Sequence, residues 1–207
     1  MRSLDYYIVE NLRSARRFLA SLPLGRPIDE LHFGELNEHT APQEVERLIA
    51  PLLEGHDVGL LSEAGVPAVA DPGSEVVALC HKKGIRVIPL VGPSSAIMAL
   101  MASGANGQSF AFNGYLPVKQ AERIKAIRHF ESRAVRERQS QIFIEAPYRN
   151  EKLLADLLAT CSPETRLCIA ADITAPNEFI LTKSITQWRK MSPHPAINRR
   201  PAIFILT

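Results

Sequence analysis

Residues 58–73 combine an apolar strand with side chains that can contact a ligand. Their sequence, VGLLSEAGVPAVADPG, runs from buried-strand residues into a turn that carries two acids, Glu63 and Asp71, among small residues. Carboxylates accept hydrogen bonds from hydroxyl or ammonium groups, and small residues let the backbone approach a flat ring. The turn therefore indicates a site for a ligand with a ribose or amino-acid moiety. The same pattern also fits an ordinary strand–helix turn in which Asp71 caps the next helix.

Two further turns carry side chains suited to binding or catalysis. The VGPSSA turn places the hydroxyls of Ser94 and Ser95 at a helix N-terminus, where they either contact a ligand or simply cap the helix. The EAPYR turn places Glu145, Tyr148 and Arg149 together after a strand. Arg149 suits a phosphate and Glu145 suits a base or an orienting group, but a structural ion pair between them fits equally well.

Several common sites are disfavoured by what the sequence lacks. It contains neither GxGxxG nor GxxxxGK[ST], which argues against a dinucleotide or nucleoside triphosphate cradle and against a nicotinamide-dependent oxidoreductase. The six histidines show no pairing at ligand spacing, and the three cysteines show no CxxC spacing. We therefore expect no metal site, and we expect the thiols to lie in the core.

The composition predicts a folded, cytoplasmic protein. Of 207 residues 46% are apolar, and the formal net charge is only +2, too mild by itself to require a nucleic-acid partner. No apolar run approaches the roughly 20 residues that span a bilayer. Residues 119–138, however, contain seven Lys or Arg against three Glu. This segment is either a solvated helix face or a surface for RNA phosphates.

Strands and helices alternate along the sequence, which predicts an α/β fold with a mostly parallel sheet covered on both faces. Asn11 and Asn150 are expected to cap helices. We place a domain boundary after Gly92, giving domains 1–92 and 93–207. The segments with strand composition are 6–10, 31–34, 58–61, 86–90, 110–113, 140–145, 166–171, 178–181 and 202–206. The segments with helical spacing or caps are 13–21, 40–53, 74–83, 96–103, the basic segment and the one after Asn150.

Taken in order, these stretches resemble the tetrapyrrole methylase family, the class III S-adenosylmethionine-dependent methyltransferases. Within that family they are most similar to the ribosomal RNA small-subunit methyltransferase I branch, which methylates a cytidine ribose 2′-hydroxyl. The similarity covers nearly the whole chain. The motifs that carry it are ENLRSARRFL (10–19), ELNEHTAPQEVERLI (35–49), SEAGVPAVADPG (62–73), GIRVIPLVGPSSA (84–96), FAFNGYLPVK (110–119) and IFIEAPYR (142–149).

The resemblance implies two α/β domains, the second with a mixed sheet, and S-adenosylmethionine bound in a cleft between them. It also implies a homodimer. The positions that match the family's cofactor contacts are Ser62, Glu63, Ala64, Gly65, Ala68, Val69, Ser94, Ser95, Ala146 and Ala171.

The resemblance further implies methyl transfer to a hydroxyl, for which a general base helps. Glu145, Glu63 and Asp172 are the candidates for that base. Ribosomal RNA is the leading substrate, and the residues expected to contact it are Tyr148, Arg149, Lys119 and Arg123.

Three departures from the family pattern define the alternatives. Family members carry a strand and a Gly/Pro-rich loop upstream of the segment at Tyr6, so we expect either a longer chain or a cofactor site without that loop. The branch's Arg-Glu-Leu-Thr-Lys motif is replaced at residues 171–175 by ADITA. We also expect the branch's additional C-terminal domain to have no counterpart here. A methyltransferase for a small molecule or a corrinoid-like ring, and a non-catalytic paralogue, therefore remain alternatives.

Overall fold

A computed structural model of the chain describes residues 3–37 and 39–207. The chain divides into two compact units, the first ending at Pro93 and the second running from Ser94 to Thr207. Each unit has its own sheet with helices packed on it, as the predicted α/β class requires. The boundary between residues 92 and 93 stays a prediction about domains, because compactness does not show that either unit folds alone.

The first unit contains a parallel sheet in the order β2-β1-β3. Its elements are β1 (Tyr6–Val9), α1 (Leu12–Ala20), a 3₁₀ turn (Ile28–Glu30), β2 (His32–Glu35), α2 (Pro42–Leu48), α3 (Ala50–Leu53), β3 (Val58–Leu61) and α4 (Ser74–Lys82).

The central strand β1 is apolar throughout because helices cover both faces of the sheet. Successive side chains of a strand point to opposite faces. Tyr7 and Val9 join one buried cluster with Leu19 of α1, and Ile8 joins another with Val76 of α4. As expected, Asn11 caps α1, and its side chain accepts from the backbone N–H of Ser14 at 3.0 Å.

Two predictions for the first unit are corrected. The helix expected over 40–53 is interrupted at Ile49, since Pro51 has no N–H to donate and its ring crowds the preceding turn. The strand expected over 86–90 is absent: within the described chain, the backbone N–H groups there make no hydrogen bond. Apolar composition predicts burial, but a strand also needs a neighbouring strand. Here Ile88 is 61% and Leu90 71% exposed.

The second unit contains a mixed sheet in the order β4-β5-β8-β6-β7, as the resemblance implies. Only β4 and β5 pair in parallel; the other three pairings are antiparallel. Its elements are α5 (Ser95–Ser103), β4 (Phe110–Tyr115), α6 (Gln120–Glu137), β5 (Ser140–Ile144), a 3₁₀ turn (Pro147–Arg149), α7 (Asn150–Thr160), β6 (Arg166–Ala171), β7 (Phe179–Ser184), α8 (Ile185–Lys190) and β8 (Ala202–Leu206).

The second sheet is buried on both faces. One face packs against α6, α7 and α8 around Trp188, and the other packs against α5 around Ala99 and Leu100. Helix α8 was not predicted, although Ser184 and Gln187 form a capping box at its start. Asn150 was predicted to cap α7 but lies inside it, and its side chain is fully buried.

The three cysteines are free and buried, as predicted. In residues 3–37 and 39–207, no group of three or more His, Cys, Asp or Glu side chains is arranged to hold a metal ion. No helix in the described part of the chain is both long enough and apolar enough to cross a membrane.

Candidate functional site

The carboxyl ends of β1 and β3 bring Glu10 beside the turn at 62–73. The two strands are parallel neighbours, with Val9 opposite Leu61. The backbone N–H of Glu10 donates to the Leu61 carbonyl at 3.2 Å, and the Glu10 carboxylate accepts from the backbone N–H of Glu63 at 2.9 Å. Glu10 therefore fixes the start of the turn from both its backbone and its side chain.

The side chain of Glu63 is exposed but oriented. Its Oε1 accepts a hydrogen bond from the Ser14 hydroxyl, and Asn11 positions Ser14 at the first turn of α1 by accepting from its backbone N–H at 3.0 Å. No residue in the described chain donates to Glu63 Oε2. The carboxylate is therefore held in place with one oxygen available to a ligand.

The turn itself has an unusual backbone. Ala68 and Ala70 have φ values of 66° and 59°, a region that residues with a Cβ atom rarely adopt. Gly73 has a φ of 132°, and a Cβ atom there would lie 2.8 Å from Leu60 Cδ2. Such conformations persist only where the surrounding structure imposes them, and they concentrate at ligand sites.

The carboxyl groups of Glu10 and Asp71 interact at this edge of the first sheet. Burial raises the pKa of Asp71, the nearby Glu10 carboxylate raises it further, and a hydrogen bond from Ser62 partly opposes the shift. A carboxyl group whose ionised form is disfavoured in this way is stabilised by a nearby cation. The edge therefore favours a ligand that carries positive charge.

In the second unit, the other predicted site residues lie along one edge of the sheet. Strands β5 and β6 run in the same direction because each pairs antiparallel with β8 between them, and β4 is parallel to β5. The residues that follow these three strands consequently lie along one edge. They include Lys119 after β4, Glu145 and Ala146 after β5, and Ala171 and Asp172 at the end of β6.

Helix α5 brings Ser94 and Ser95 towards the same edge. Its last turn lies near the start of β6, since a Cβ atom on Gly104 would come within 3.8 Å of the Arg166 side chain. Its first turn therefore lies towards the end of β6, where Ala96 packs in a cluster with Ala170. Ser94 is the N-cap residue, but its side chain makes no capping hydrogen bond. The simple capping role considered for Ser94 is not the one observed.

The Glu145 carboxylate forms an ion pair instead of facing solvent. Its side chain is 1% exposed and accepts from Arg149 Nε at 2.9 Å and Nη2 at 2.5 Å. It also accepts from the backbone N–H of Ala146 at 2.8 Å. Arg149 lies over the ring of Tyr148, which is 70% exposed. The structural ion pair is present, and it leaves Tyr148 as the accessible member of the turn.

Asp172 is also paired. Its carboxylate accepts from Arg200 Nε at 2.7 Å and from the Asn177 side chain, and it is 12% exposed. Among the three predicted bases, Glu63 alone has an exposed side chain.

Of the three basic residues predicted to contact substrate, Arg149 is in the ion pair with Glu145, and the other two have different surroundings. The Lys119 side chain is 82% exposed. Arg123 is 1% exposed, which argues against direct contact with a large substrate. Its Nε donates to Asp156 at 2.7 Å and its Nη1 to the carbonyls of Pro117 and Val118. Its Nη2 lies 2.6 Å from Asp156 but outside hydrogen-bond geometry. Arg123 therefore supports the loop that ends at Lys119.

Residues that organise both edges were missed in the sequence. The sequence predicts Glu10 only as the last residue of a strand and the first residue of a matching motif, and it predicts no role for Arg200. An acid directly after a buried strand is a usable signal, because parallel strands end at a common edge. Nothing in the local sequence of Arg200 identifies Asp172, which lies 28 residues away.

Comparison with known proteins places the chain among methyltransferases. The family model described as Tetrapyrrole (Corrin/Porphyrin) Methylases matches residues 8–188. A Ribosomal RNA small subunit methyltransferase I from Vibrio cholerae is 32% identical over 180 residues, which are 87% of this chain and 59% of the relative. The protein of the same name from Escherichia coli O157:H7 is 36% identical over 155 residues, which are 72% of this chain and 53% of the relative. The chain thus spans little more than half the length of these relatives.

Solved structures share the fold. The methyltransferase CobJ superposes with a TM-score of 0.59 at 16% identity, covering 96% of this chain and 82% of that one. Cobalt precorrin-4 methyltransferase superposes with a TM-score of 0.58 at 16% identity, covering 99% of this chain and 84% of that one. At such low identity these matches support the fold and not a substrate.

Proposed function

The chain belongs to the tetrapyrrole (corrin/porphyrin) methylase family, and on that premise we propose that it transfers a methyl group from S-adenosylmethionine to a ribose 2′-hydroxyl of small-subunit ribosomal RNA. The observation that carries the proposal is the identity of 32% over 180 residues to a Ribosomal RNA small subunit methyltransferase I. We also propose a cytoplasmic homodimer. Sedimentation of the 22.9 kDa chain tests the dimer.

The residues of the first edge suit this cofactor. S-adenosylmethionine carries a sulfonium and an ammonium, and the edge presents the carboxyl groups of Glu10 and Asp71. Its ribose hydroxyls can donate to carboxylates, and the exposed backbone at Ala64 and Gly65 allows close approach. We assign cofactor contacts here to Ser62, Glu63, Ala64, Gly65, Ala68 and Val69.

The second edge offers complementary groups. The first amides of α5, after Ser95, suit the cofactor's carboxylate because a helix N-terminus favours negative charge. The small side chain of Ala146, which is half-buried, leaves room for a flat ring beside the backbone. We assign Ser94, Ser95 and Ala146 to the cofactor on these grounds. Ala171 is fully buried in the core of the second unit, which argues against the cofactor contact that the resemblance implies for it.

When bound, the cofactor supplies an electrophilic methyl group, so the protein's task is to align the acceptor and exclude water. We assign the proton-accepting role to Glu63. Glu145 and Asp172 are each held by an arginine and are 1% and 12% exposed, which suits them to orienting the loops.

We propose that RNA contacts the second edge and the exposed face of α6. Lys119 and Tyr148 are exposed after strands that end at this edge, whereas Arg149 is held in its ion pair with Glu145. The exposed basic residues of the helix and its end are Lys125, Arg128, Arg136 and Arg138. Neutralisation of phosphates by such residues makes RNA affinity fall with rising salt.

Two measurements test the proposal. Calorimetry should show S-adenosylmethionine binding in the micromolar range; an absence of binding would favour a non-catalytic paralogue. A small-subunit ribosomal RNA transcript should then accept a tritiated methyl group, and a transcript made with 2′-deoxycytidine should not. Equal labelling of both transcripts would contradict the ribose assignment. Cofactor binding without any RNA labelling would favour a small-molecule acceptor.

A further inference from the structure

The loop after β6 has a conformation that its own sequence does not favour. Asp172 and Thr174 have φ values of 48° and 71°, in the left-handed region. Residues with a Cβ atom adopt that region at a conformational cost that the surrounding structure must offset. Hydrogen bonds within the loop hold part of it, since the backbone N–H of Thr174 donates to the Glu178 carboxylate at 2.7 Å and that of Ala175 donates to the Asp172 carbonyl at 2.9 Å. Contacts from outside the loop add to these, and the loop begins directly after Ala171.

Arg200 contacts this loop at two points. Its Nε donates to Asp172 Oδ2 at 2.7 Å, and its Nη2 donates to the Asn177 carbonyl at 2.5 Å. Its Nη1 donates to the Ala196 carbonyl at 2.8 Å within its own loop. A planar guanidinium group holds its N–H donors in fixed directions, whereas the ammonium group of a lysine does not. The backbone N–H of Asp172 also donates to the Pro201 carbonyl at 2.9 Å.

The same segment is tied to the turn that carries Ala146. The Asn150 side chain donates to the carbonyls of Ile197 and Arg200 at 3.0 and 2.7 Å. The backbone N–H of Arg199 donates to the Pro147 carbonyl at 2.9 Å. One hydrogen-bonded connection therefore runs from the end of β5 through residues 197–200 to the end of β6.

We infer that Arg200 is a positioning residue for the cofactor: it holds the loop that follows the buried Ala171, so that this loop and Ala146 keep their relative positions at the second edge. This inference rests on the proposed function. In this role Arg200 contacts neither reactant and acts through Asp172. The side chains of Arg200 and Asp172 are 22% and 12% exposed.

The test compares cofactor affinity with stability in the full chain. Arg200→Met should weaken S-adenosylmethionine binding by about tenfold or more, because small misplacements at a binding edge are costly. Arg200→Lys should give an intermediate loss. Amide hydrogen exchange over residues 171–178 should become faster in both variants.

Arg189→Met is the matched control. Arg189 donates to the carbonyls of Leu158 and Cys161, at the end of α7 remote from Asn150. This variant should lower Tm and leave the Kd within about twofold. If Arg200→Met lowers Tm but leaves the Kd unchanged, the inference is overturned.

Asp172→Asn keeps the inference testable if Arg200→Met does not fold. The substitution preserves the shape of the side chain and weakens its charge-assisted hydrogen bond with Arg200, so it should also lower the affinity for S-adenosylmethionine. Unchanged affinity in a folded Asp172→Asn protein would also overturn the inference. An absence of binding by the wild-type chain is a different result, since it removes the proposed function itself.

Discussion

The backbone N–H of Glu63 donates a 2.9 Å hydrogen bond to the carboxylate of Glu10, across the neighbouring ends of β3 and β1. The same Glu10 carboxylate raises the pKa of Asp71, second to the effect of burial. The Glu10 side chain therefore positions the turn and also disfavours the ionised form of Asp71.

Replacing Glu10 should separate these two effects. Glu10→Gln keeps an oxygen that accepts from Glu63 but removes the charge, so the pKa of Asp71 should move down towards its ordinary value. Carboxyl carbon NMR titration measures this shift. Glu46→Gln, an exposed replacement of equal charge on α2, is the control. An equal Asp71 pKa in both variants would contradict the assigned cause.

The raised pKa of Asp71 also predicts how stability depends on pH. The folded state binds the Asp71 proton more tightly than the unfolded state, so this contribution to stability is fully present below the ordinary pKa. It is lost as the pH rises through the raised folded-state value. Chemical denaturation should therefore be measured from below the ordinary pKa of Asp71 to above its raised folded-state pKa. Over this range the free energy of unfolding should fall less for Asp71→Asn than for the wild type. An identical pH dependence would count against the shift.

Gly73→Ala should destabilise the first unit. The new methyl group would meet Leu60 Cδ2 at 2.8 Å, and the φ of 132° excludes most side chains. A loss of about 1–3 kcal/mol in the free energy of unfolding is expected by urea denaturation. Gly107→Ala is the control, because no atom lies within 4 Å of its new Cβ, and it should change stability by less than about 0.5 kcal/mol. Equal effects at the two positions would refute the steric explanation.

The sequence predicted most elements because burial and capping leave local signals. β1 reads as a continuous apolar run, and Asn11 directly precedes the helix that it caps. The segment 86–90 has the same apolar character but forms no strand, since strand formation depends on a neighbour that local composition cannot specify.

The sequence pointed to the turns of the candidate site but not to the long-range pairs between its side chains. Glu63, Glu145 and Asp172 each follow a strand, which made them visible in the sequence. Their partners Ser14 and Arg200 lie 49 and 28 residues away from Glu63 and Asp172, so pairing appears only after folding. The burial of Arg123 was hidden for the same reason: Asp156 lies 33 residues further on.

Arg123 should matter for stability more than any exposed cation of α6. Arg123→Met leaves the buried Asp156 carboxylate without its charged partner and should reduce the free energy of unfolding by about 3–5 kcal/mol. The double variant Arg123→Met with Asp156→Leu should recover most of that loss. Denaturant titration measures both, and a double variant no more stable than the single one would contradict the ion-pair explanation.

Lys125, on the same helix, should matter for RNA binding and not for stability. It is exposed, so Lys125→Met should leave the free energy of unfolding within about 0.5 kcal/mol of wild type. If the face binds RNA, the variant should weaken binding to a small-subunit RNA fragment and reduce its salt dependence. Filter binding over a salt series measures both quantities. Unaltered affinity at low salt would remove Lys125 from the proposed surface.

The three thiols should be unreactive in the folded protein. Burial raises the pKa of Cys161 to about 12, with the Glu131 carboxylate adding to the shift and Arg189 opposing it. Burial also raises the pKa of Cys80 and Cys168.

The thiolate is the reactive form, so an aromatic disulfide reagent at mildly alkaline pH should modify the native chain slowly. It should modify three thiols rapidly in concentrated guanidinium chloride. Ala121→Cys places a thiol at an exposed position of α6 and supplies the rate for an accessible group. A native cysteine that reacts as fast as this introduced thiol would show that its burial is transient on the time scale of the assay.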